Sequence, residues 1–274
     1  MPGGHDGEEP AAGRPFQEAE RLLASDCSGT EWERMAAQHF TTQALLLRGD
    51  VDAARRLATQ RLDEARRRND VFALGVFQTT MRAWHWVLEN EPEQAWVEVD
   101  EALSGWPSSE YYLVHQFRDM ARAALFLYQG SDGEALALLR TVGRQMRKAM
   151  LTAMPALDAE YLSWLGRAAI RAGDAAALKV VRRRLRRSRL RISAGYLAGL
   201  HALDAGRRGD SAAVQRHLAR AIEIGDETEF HLFGAGYRYR LGQQTGVRPG
   251  SASSAKPSTG SGDRARRTPI GSWT

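Results

Sequence analysis

The chain lacks most of the features that would assign it to a membrane or disulfide-stabilised class. It has one cysteine, Cys27, in 274 residues, which excludes an internal disulfide and a cysteine-rich metal site and favours a reducing compartment. The first residues contain no basic segment followed by an apolar one, so we expect no signal peptide. No stretch reaches the roughly 18 apolar residues of a membrane span. We therefore expect a cytoplasmic protein without membrane contact.

The sequence also lacks the short patterns that mark common catalytic and cofactor sites. It has no glycine-rich phosphate loop, no Gly-x-Ser-x-Gly elbow and no kinase catalytic loop. Its seven histidines form no His-x-x-x-His pair, so a zinc site on a helix has no support. Cys27 has no evident base nearby. We expect no catalytic residue, no cofactor and no metal, and hence a protein that is not an enzyme.

The sequence does contain a short motif that occurs five times. An apolar, helix-like stretch ends in a small polar turn, most clearly Gly-Asp, and an alanine follows three residues later. The weakest copy is Glu91-Pro92. The five alanines are Ala53, Ala95, Ala135, Ala177 and Ala213, at spacings of 42, 40, 42 and 36 residues. This period is typical of stacked helical hairpins, because one hairpin cannot bury its apolar face alone.

The repeat predicts an all-α fold, a TPR-like helical-hairpin solenoid of about five hairpins plus partial end units, forming an elongated particle. No segment alternates apolar and polar residues with period two, so we expect no strands. A first helix is predicted near 16–25 and a last one near 227–243. The predicted pairs between them are 31–48 with 51–68, 70–89 with 92–104, 109–129 with 132–150, 155–172 with 174–188, and 193–208 with 210–224.

The residues of the repeated turn have clear local roles. Glycine just past a helix adopts the left-handed conformation that ends the helix, and this is expected of Gly49, Gly173 and Gly209. An aspartate before the next helix accepts hydrogen bonds from its free N–H groups. The aspartates expected at these N-cap positions are Asp50, Asp132, Asp174 and Asp210. The alanine that follows lets the two helices of a hairpin approach closely.

The ends of the chain differ from its middle. Residues 1–14 are polar and we predict that they are disordered, as is the Gly-, Ser- and Pro-rich tail 247–274. The formal net charge is +5, but the tail has five basic residues and one acidic residue, which leaves only +1 for the rest. The repeat domain, 15–246, is therefore nearly neutral, and we do not expect it to bind nucleic acid.

Seven arginines between 182 and 191 form the most prominent charged feature. The candidates for an anion site are Arg182, Arg183, Arg186 and Arg187, because guanidinium groups bind phosphate in a bidentate way. The other interpretation is a solvated helix face, with Leu178, Val181 and Leu185 as its apolar stripe. No aromatic residue interleaves with the arginines, as stacking on bases would require. This favours the solvated face.

Aromatic residues give the second set of candidates. The proposed partner-binding residues are Trp84, Trp86, Tyr112 and His115. Tryptophan and tyrosine are enriched at binding hot spots, but large aromatics also fill the space between stacked helices. Trp84 and Trp86 are two positions apart and point in different directions on a helix, so we expect one of them to be exposed. A single histidine such as His115 is more often a packed residue than a ligand.

Two stretches of the chain resemble a known family. The matching residues are Trp106, Pro107, His115, Ala124, 127–130 and Ala135 in the first stretch, and 235–242 with Gly246 in the second. They are similar to the C-terminal TPR-like region of large bacterial serine/threonine protein kinases. In that family a kinase domain and a predicted ATPase domain precede this region. The final helix there continues into a glycine-rich turn and another helix with a tryptophan, whereas here Trp273 stands alone in the tail.

The resemblance implies a non-catalytic protein-interaction or signal-sensing module of a bacterial serine/threonine kinase signalling system. Its partner would be a protein or peptide docked in the groove that the first helices of successive hairpins line. The alternative is a nucleic-acid or anionic-ligand binder that uses the arginines of 182–191 and the basic tail. A third possibility is a non-functional remnant of a larger gene. No oligomeric state is predicted.

Overall fold

The computed structural model describes residues 14–25, 29–106 and 110–245, and every regular element in these ranges is a helix. The α-helices are α1 Arg14–Ser25, α2 Glu31–Arg48, α3 Val51–Arg68, α4 Val71–Phe77, α5 Ala83–Leu88, α6 Pro92–Glu101, α7 Leu113–Tyr128, α8 Asp132–Lys148, α9 Pro155–Ala172, α10 Ala175–Arg187, α11 Arg191–Arg207, α12 Ser211–Glu227 and α13 His231–Thr245. A π-helical segment, Gln78–Arg82, joins α4 to α5 without a break, and a short 3₁₀ turn, Leu151–Ala153, precedes α9.

The predicted all-α class is confirmed for these residues, and each predicted helix has an observed counterpart within a few positions. The helix predicted over 70–89 differs in kind, because its middle is π-helical. The first helix begins at Arg14, inside the segment predicted to be disordered. The rest of that segment, and the tail 247–274, lie outside the described residues.

The helices pack as consecutive antiparallel-type pairs. α2 contacts α3, α5 contacts α6, and the same holds for α7 with α8, α9 with α10 and α11 with α12. The second helix of each pair also contacts the first helix of the next pair. The first helices contact one another in turn, α2 with α4, α4 with α7, α7 with α9 and α9 with α11. We call these first helices, including α5, the inner layer.

The last helix returns to the beginning of the chain. α13 contacts α2 as well as α12, so the two ends of the row of helices meet. This differs from the elongated particle that the repeat predicted. The spacing of the repeated alanines carries no information about the angle between successive hairpins, so the sequence could not predict this contact.

The glycines of the repeated turn behave as predicted. Gly49, Gly173 and Gly209 have φ of 91°, 77° and 73°, a left-handed conformation that a side chain would strain. Their turns return backbone hydrogen bonds to the preceding helix, for example from Asp174 N to Ala169 O at 2.8 Å. The glycines therefore end the helices and direct the chain into the next one.

The aspartates of the turn fall into three groups. Asp174 and Asp210 accept capping hydrogen bonds from the N–H groups of Ala177 and Ala213, at 3.0 and 2.9 Å. Asp50 is at the N-cap position, but its side chain makes no capping bond. The prediction for Asp132 is wrong, because Ser131 is the N-cap and Asp132 is already helical.

The repeated alanines line the contacts between paired helices to different degrees. Ala95 and Ala135 are completely buried and Ala213 nearly so. Ala53 and Ala177 are only partly buried. The largest apolar cluster lies in the middle of the chain and joins α7 to α11. Among its fully buried members are Leu139, Val142, Met146, Leu162 and Val181.

Candidate functional site

Four elements of the inner layer meet around a cavity of about 40 Å³. α2, the π-helical segment with α5, α7 and α9 each contribute side chains to its wall. Its polar and aromatic lining residues are Gln43, Thr79, Thr80, Trp84, Gln116, Phe117, Glu160 and Trp164. We call this the central cavity. A volume of this size holds one polar group or about one water molecule.

Gln116 is the most unusual residue of the central cavity. Its side chain is completely buried on α7, and neither its amide nitrogen nor its amide oxygen has a hydrogen-bond partner among the described residues. A buried polar group without a partner costs about 1–3 kcal/mol. The amide offers one acceptor and two donor hydrogens at the same place. A peptide group, which has one donor and one acceptor, complements it.

Glu160 faces the same cavity from α9. Although part of its surface is accessible, the carboxyl group is enclosed by neighbouring atoms, and this desolvation raises its pKa to about 7. A hydrogen bond with the Trp164 side chain acts in the opposite direction and lowers the pKa. Near neutral pH the carboxyl group can therefore exchange a proton, and an N–H donor or a cation brought to it would favour its charged form.

Two tryptophans form an apolar wall beside these polar groups. The ring centroids of Trp84 and Trp164 are 5.6 Å apart, and the Arg167 guanidinium lies 4.9 Å from the Trp164 ring. Trp84 is half-buried, so part of its ring surface faces outward. Tryptophan surfaces of this kind provide much of the energy at peptide-binding sites.

The π-helical segment sets the direction in which Trp84 points. A π turn contains one residue more than an α turn, which rotates the following residues around the helix axis. The hydroxyl groups of Thr79 and Thr80 each donate to a carbonyl four residues earlier, Gly75 O and Val76 O, both at 2.7 Å. π turns within α-helices frequently occur at functional sites.

A buried histidine supports this part of the wall. His39 of α2 lies 5.2 Å from the ring of Phe117 and 3.4 Å from Thr80 Oγ1 through its Nδ1. Burial lowers the pKa of His39 to about 4, so the ring is neutral at physiological pH. It acts as a packed, hydrogen-bonded ring that ties α2 to α7 and to the π-helical segment.

The structure places the four aromatic candidates in three environments. Only Trp84 lines the central cavity. Trp86 packs on a small cluster of α5, α6 and α7, with the Arg82 guanidinium 4.6 Å from its ring. Both tryptophans are half-buried, so the prediction that one of them is exposed is wrong. The π turn ends before both tryptophans, so it does not change their separation, and each contacts its own apolar neighbours.

Tyr112 and His115 form the third environment, at the beginning of α7. His115 Nδ1 accepts a hydrogen bond from Tyr112 N at 3.1 Å, and the Tyr112 hydroxyl donates to Glu110 at 2.9 Å. Burial lowers the pKa of His115. The ring therefore completes the cap of α7 in its neutral form. This matches the packed role expected of a single histidine in a helix.

The arginine candidates lie on the outer helix α10. Arg182 pairs with Asp204 of α11 at 2.6 Å, and Arg184 pairs with Asp158 of α9 at 2.5 Å. The remaining candidates, Arg183, Arg186 and Arg187, are exposed. Leu178, Val181 and Leu185 are buried, as the amphipathic interpretation predicted. Part of the arginine run thus joins α10 to its neighbours rather than forming one free cationic surface.

The key residues of the central cavity were not found from the sequence. A glutamine or glutamate within a helix is normally assigned to the surface, unless its position relative to the apolar face of the helix is checked. Gln116 lies four positions before the buried Met120, which puts it on the apolar face of α7. Glu160 likewise lies four positions before the buried Trp164. These spacings are the signal that could have identified both residues.

A scan against protein-family models found no match, and searches of curated proteins and of solved structures found none either. Within 14–25, 29–106 and 110–245, no group of three or more His, Cys, Asp or Glu residues is arranged to hold a metal ion. No helix in these ranges is both long and apolar enough to cross a membrane.

Proposed function

We propose that the chain is a TPR-like helical-hairpin solenoid that binds a peptide segment of a protein partner along its inner layer. The contacts between successive first helices support this architecture, because each hairpin of a stacked array contacts its neighbours. The observation that best supports the function is Gln116, whose amide is completely buried in the wall of the central cavity and has no hydrogen-bond partner among the described residues.

The chemistry of the central cavity suits an extended peptide. One peptide group can accept from and donate to the Gln116 amide, which replaces the hydrogen bonds that burial removed. Trp84 and Phe117 offer half-buried ring surface to the neighbouring side chains. Glu160 can accept a hydrogen bond from a further N–H group or pair with a basic side chain. Binding of this kind needs no catalytic residue.

The link to serine/threonine kinase signalling is the broader part of the proposal. It rests on the similarity of the segments around Trp106–Ala135 and 235–246 to the C-terminal region of those kinases. In this proposal the chain is the sensing or docking part of such a system. The partner is then a segment of a signalling protein that reaches the inner layer in an extended form.

Selection from a phage-displayed peptide library on the full chain tests the proposal. The affinity of the selected peptides is then measured by fluorescence anisotropy for the wild type, Gln116→Met and Trp84→Ala. We expect both substitutions to weaken binding by about tenfold or more, which corresponds to about 1.4 kcal/mol. Trp86→Ala, which removes an equal side chain from another cluster, is the matched control and should change affinity by less than about twofold.

The same assay separates the proposal from the anion-binding alternative. Replacing Arg183, Arg186 and Arg187 with glutamine should leave peptide affinity unchanged, because these residues are exposed on α10. If the arginine helix is the functional surface, those changes should instead remove binding of duplex DNA while the Gln116 and Trp84 variants behave as the wild type. Selected peptides that bind all variants equally would disprove binding at the central cavity.

A further inference from the structure

A second, larger cavity lies at the C-terminal end of the helix row. Its volume is about 350 Å³, and α9, α11, α12 and α13 form its walls. Since a water molecule occupies about 30 Å³ in the liquid, this space corresponds to on the order of ten waters. That is within the lower range of small-molecule sites. The central cavity shares none of its lining residues, so the two can be tested separately.

The cavity has an apolar side formed by α11 and α12. Leu200 and Leu203 contribute from α11, and Val214 and Leu218 contribute from α12. Gly199 leaves room for the Tyr237 side chain in this wall, because a β-carbon on Gly199 would lie 2.4 Å from the Tyr237 hydroxyl oxygen. Any larger residue there would displace the tyrosine ring from the wall. The apolar body of a ligand can therefore lie against α11 and α12.

The cavity also has cationic lining residues. Arg167 of α9, Arg207 of α11 and Arg240 of α13 line it, and the set of lining residues contains no aspartate or glutamate. Arginines from three different helices thus converge on one cavity. Guanidinium groups bind carboxylate and phosphate oxygens through several N–H donors.

The neighbours of two of these arginines hold them in place. The Arg167 guanidinium lies 4.9 Å from the Trp164 ring and 5.9 Å from the Phe233 ring. Arg207 donates through its Nη1 to the carbonyl oxygens of Ile170 and Arg171, at the end of α9. Because a guanidinium has five N–H groups, these two bonds leave others for a ligand. The cationic groups are positioned before a ligand arrives, which lowers the cost of binding.

We infer that this cavity binds a small organic anion, with its carboxylate at the arginines and its apolar body against α11 and α12. The site is separate from the arginine run of α10, and it goes beyond the proposed peptide binding. Its ligand class follows from the combination of one apolar wall, one cationic wall and limited volume. Nucleic acid and inorganic phosphate lack the apolar body that the leucine and valine side chains would cover.

Isothermal titration calorimetry of the full chain with octanoate and with 1-octanol tests this inference. The two probes share the same alkyl chain length and differ in the charged group. We expect octanoate to bind with one-to-one stoichiometry and about tenfold or more tighter than octanol. Arg240→Gln should weaken octanoate binding by about tenfold and leave octanol binding unchanged, because only the anion uses the guanidinium.

Two further variants complete the test. Leu203→Trp fills the cavity from its half-buried wall and should remove binding of both probes, while circular dichroism and the melting temperature confirm folding. Arg183→Gln makes the same charge change on exposed α10 and should bind both probes as the wild type does. The inference is overturned if octanoate shows no saturable binding or binds no tighter than octanol. It is equally overturned if the folded Leu203→Trp or Arg240→Gln variant binds octanoate like the wild type.

Discussion

The same repeated motif occurs in the hairpins from α9 to α12 and in the hairpin from α4 to α6, but the two regions differ in how regular their turns are. In the first region, Gly173 and Gly209 adopt the left-handed conformation, and Asp174 and Asp210 cap the next helix through their side chains. In the second, the turn has Asn90 at φ 63° and α6 begins with Pro92. The regular turns define the scaffold, and the irregular hairpin supplies the π-helical wall of the central cavity.

The capping turns of the regular region and the central cavity also differ in how their polar groups are satisfied. In the regular region, the carboxylates at helix starts have backbone partners, and Ser193 is buried with a hydrogen bond to Ser188 at 2.8 Å. At the central cavity, the Gln116 amide has no such partner among the described residues, and Glu160 is enclosed enough for its pKa to rise. Native proteins retain such locally unfavourable groups mainly at functional sites.

The largest expected effect comes from breaking the regular scaffold. Ala135→Arg places a charged side chain in a completely buried contact between α7 and α8, so we expect it to lower the free energy of unfolding by more than about 3 kcal/mol. Ala177→Arg, at the equivalent position but only partly buried, should cost about 1 kcal/mol. Urea unfolding followed by circular dichroism measures both. Equal costs would show that the two turns are packed alike.

Glu160→Gln tests the comparison through the pH dependence of the unfolding free energy. The folded-state pKa of Glu160 is about 7, above its ordinary value of 4.5, so the native state holds a proton that the unfolded state has lost. Stability should therefore fall as pH rises from about 4.5 to 7 and remain lower above that window. Glutamine removes this loss, so the variant should be more stable by on the order of 2 kcal/mol at pH 8 and equal to the wild type at pH 4.

Exposed Glu101 provides the control for that measurement. Glu101→Gln at the end of α6 should leave the pH profile of unfolding unchanged, because its side chain is exposed. Urea unfolding at a series of pH values compares the three proteins. A Glu160→Gln profile parallel to that of the wild type would show that the carboxyl group is well solvated.

Gln116→Met separates binding from stability at the central cavity. Methionine has nearly the same shape and no strong polar group, so we expect the variant to gain about 1 kcal/mol in unfolding free energy while it loses peptide affinity. Gln145→Met, at a partly exposed position of α8, should change neither quantity by much. A destabilised Gln116→Met protein would mean that the amide has stabilising partners.

The smallest effect concerns the capping aspartates. Asp210→Ala removes a capping hydrogen bond to Ala213 N and should cost about 1 kcal/mol. Asp50→Ala removes an aspartate that is at the same position of the motif but makes no capping bond. Its cost in unfolding free energy should therefore stay below about 0.5 kcal/mol. Thermal and urea unfolding of both variants give the comparison. A larger cost for Asp50→Ala would reverse this assignment.

Much of the local structure was predictable from the sequence. Glycine, aspartate and alanine at fixed offsets have effects that depend on only a few neighbouring residues, so the helices and most turns were placed correctly. The error at Asp132 is of one position, because serine is as common as aspartate at the N-cap, and Ser131 takes that position here without a side-chain capping bond. The prediction of a continuous α-helix over 70–89 was wrong in its middle, because a π turn leaves the apolar periodicity almost unchanged over so short a stretch.

The site was less predictable because it depends on how distant helices meet. Gln116 and Glu160 are 44 positions apart, and only the contact between α7 and α9 brings them to one cavity. The contact of α2 with α13 has the same origin, since it also joins helices that are far apart in the sequence. Aromatic composition singled out Trp84, which lines the central cavity, but it could not distinguish Trp84 from Trp86 or from the cap formed by Tyr112 and His115.

Hydrogen exchange of the full chain, with and without a selected peptide, tests the central claim most directly. It reports which backbone amides become protected when the peptide binds, without any substitution. We predict that protection rises in the π-helical segment Gln78–Arg82 and in the parts of α7 and α9 around Gln116 and Glu160, and that α10 and α12 do not change. Protection confined to α10, or spread evenly over all helices, would contradict peptide binding at the central cavity.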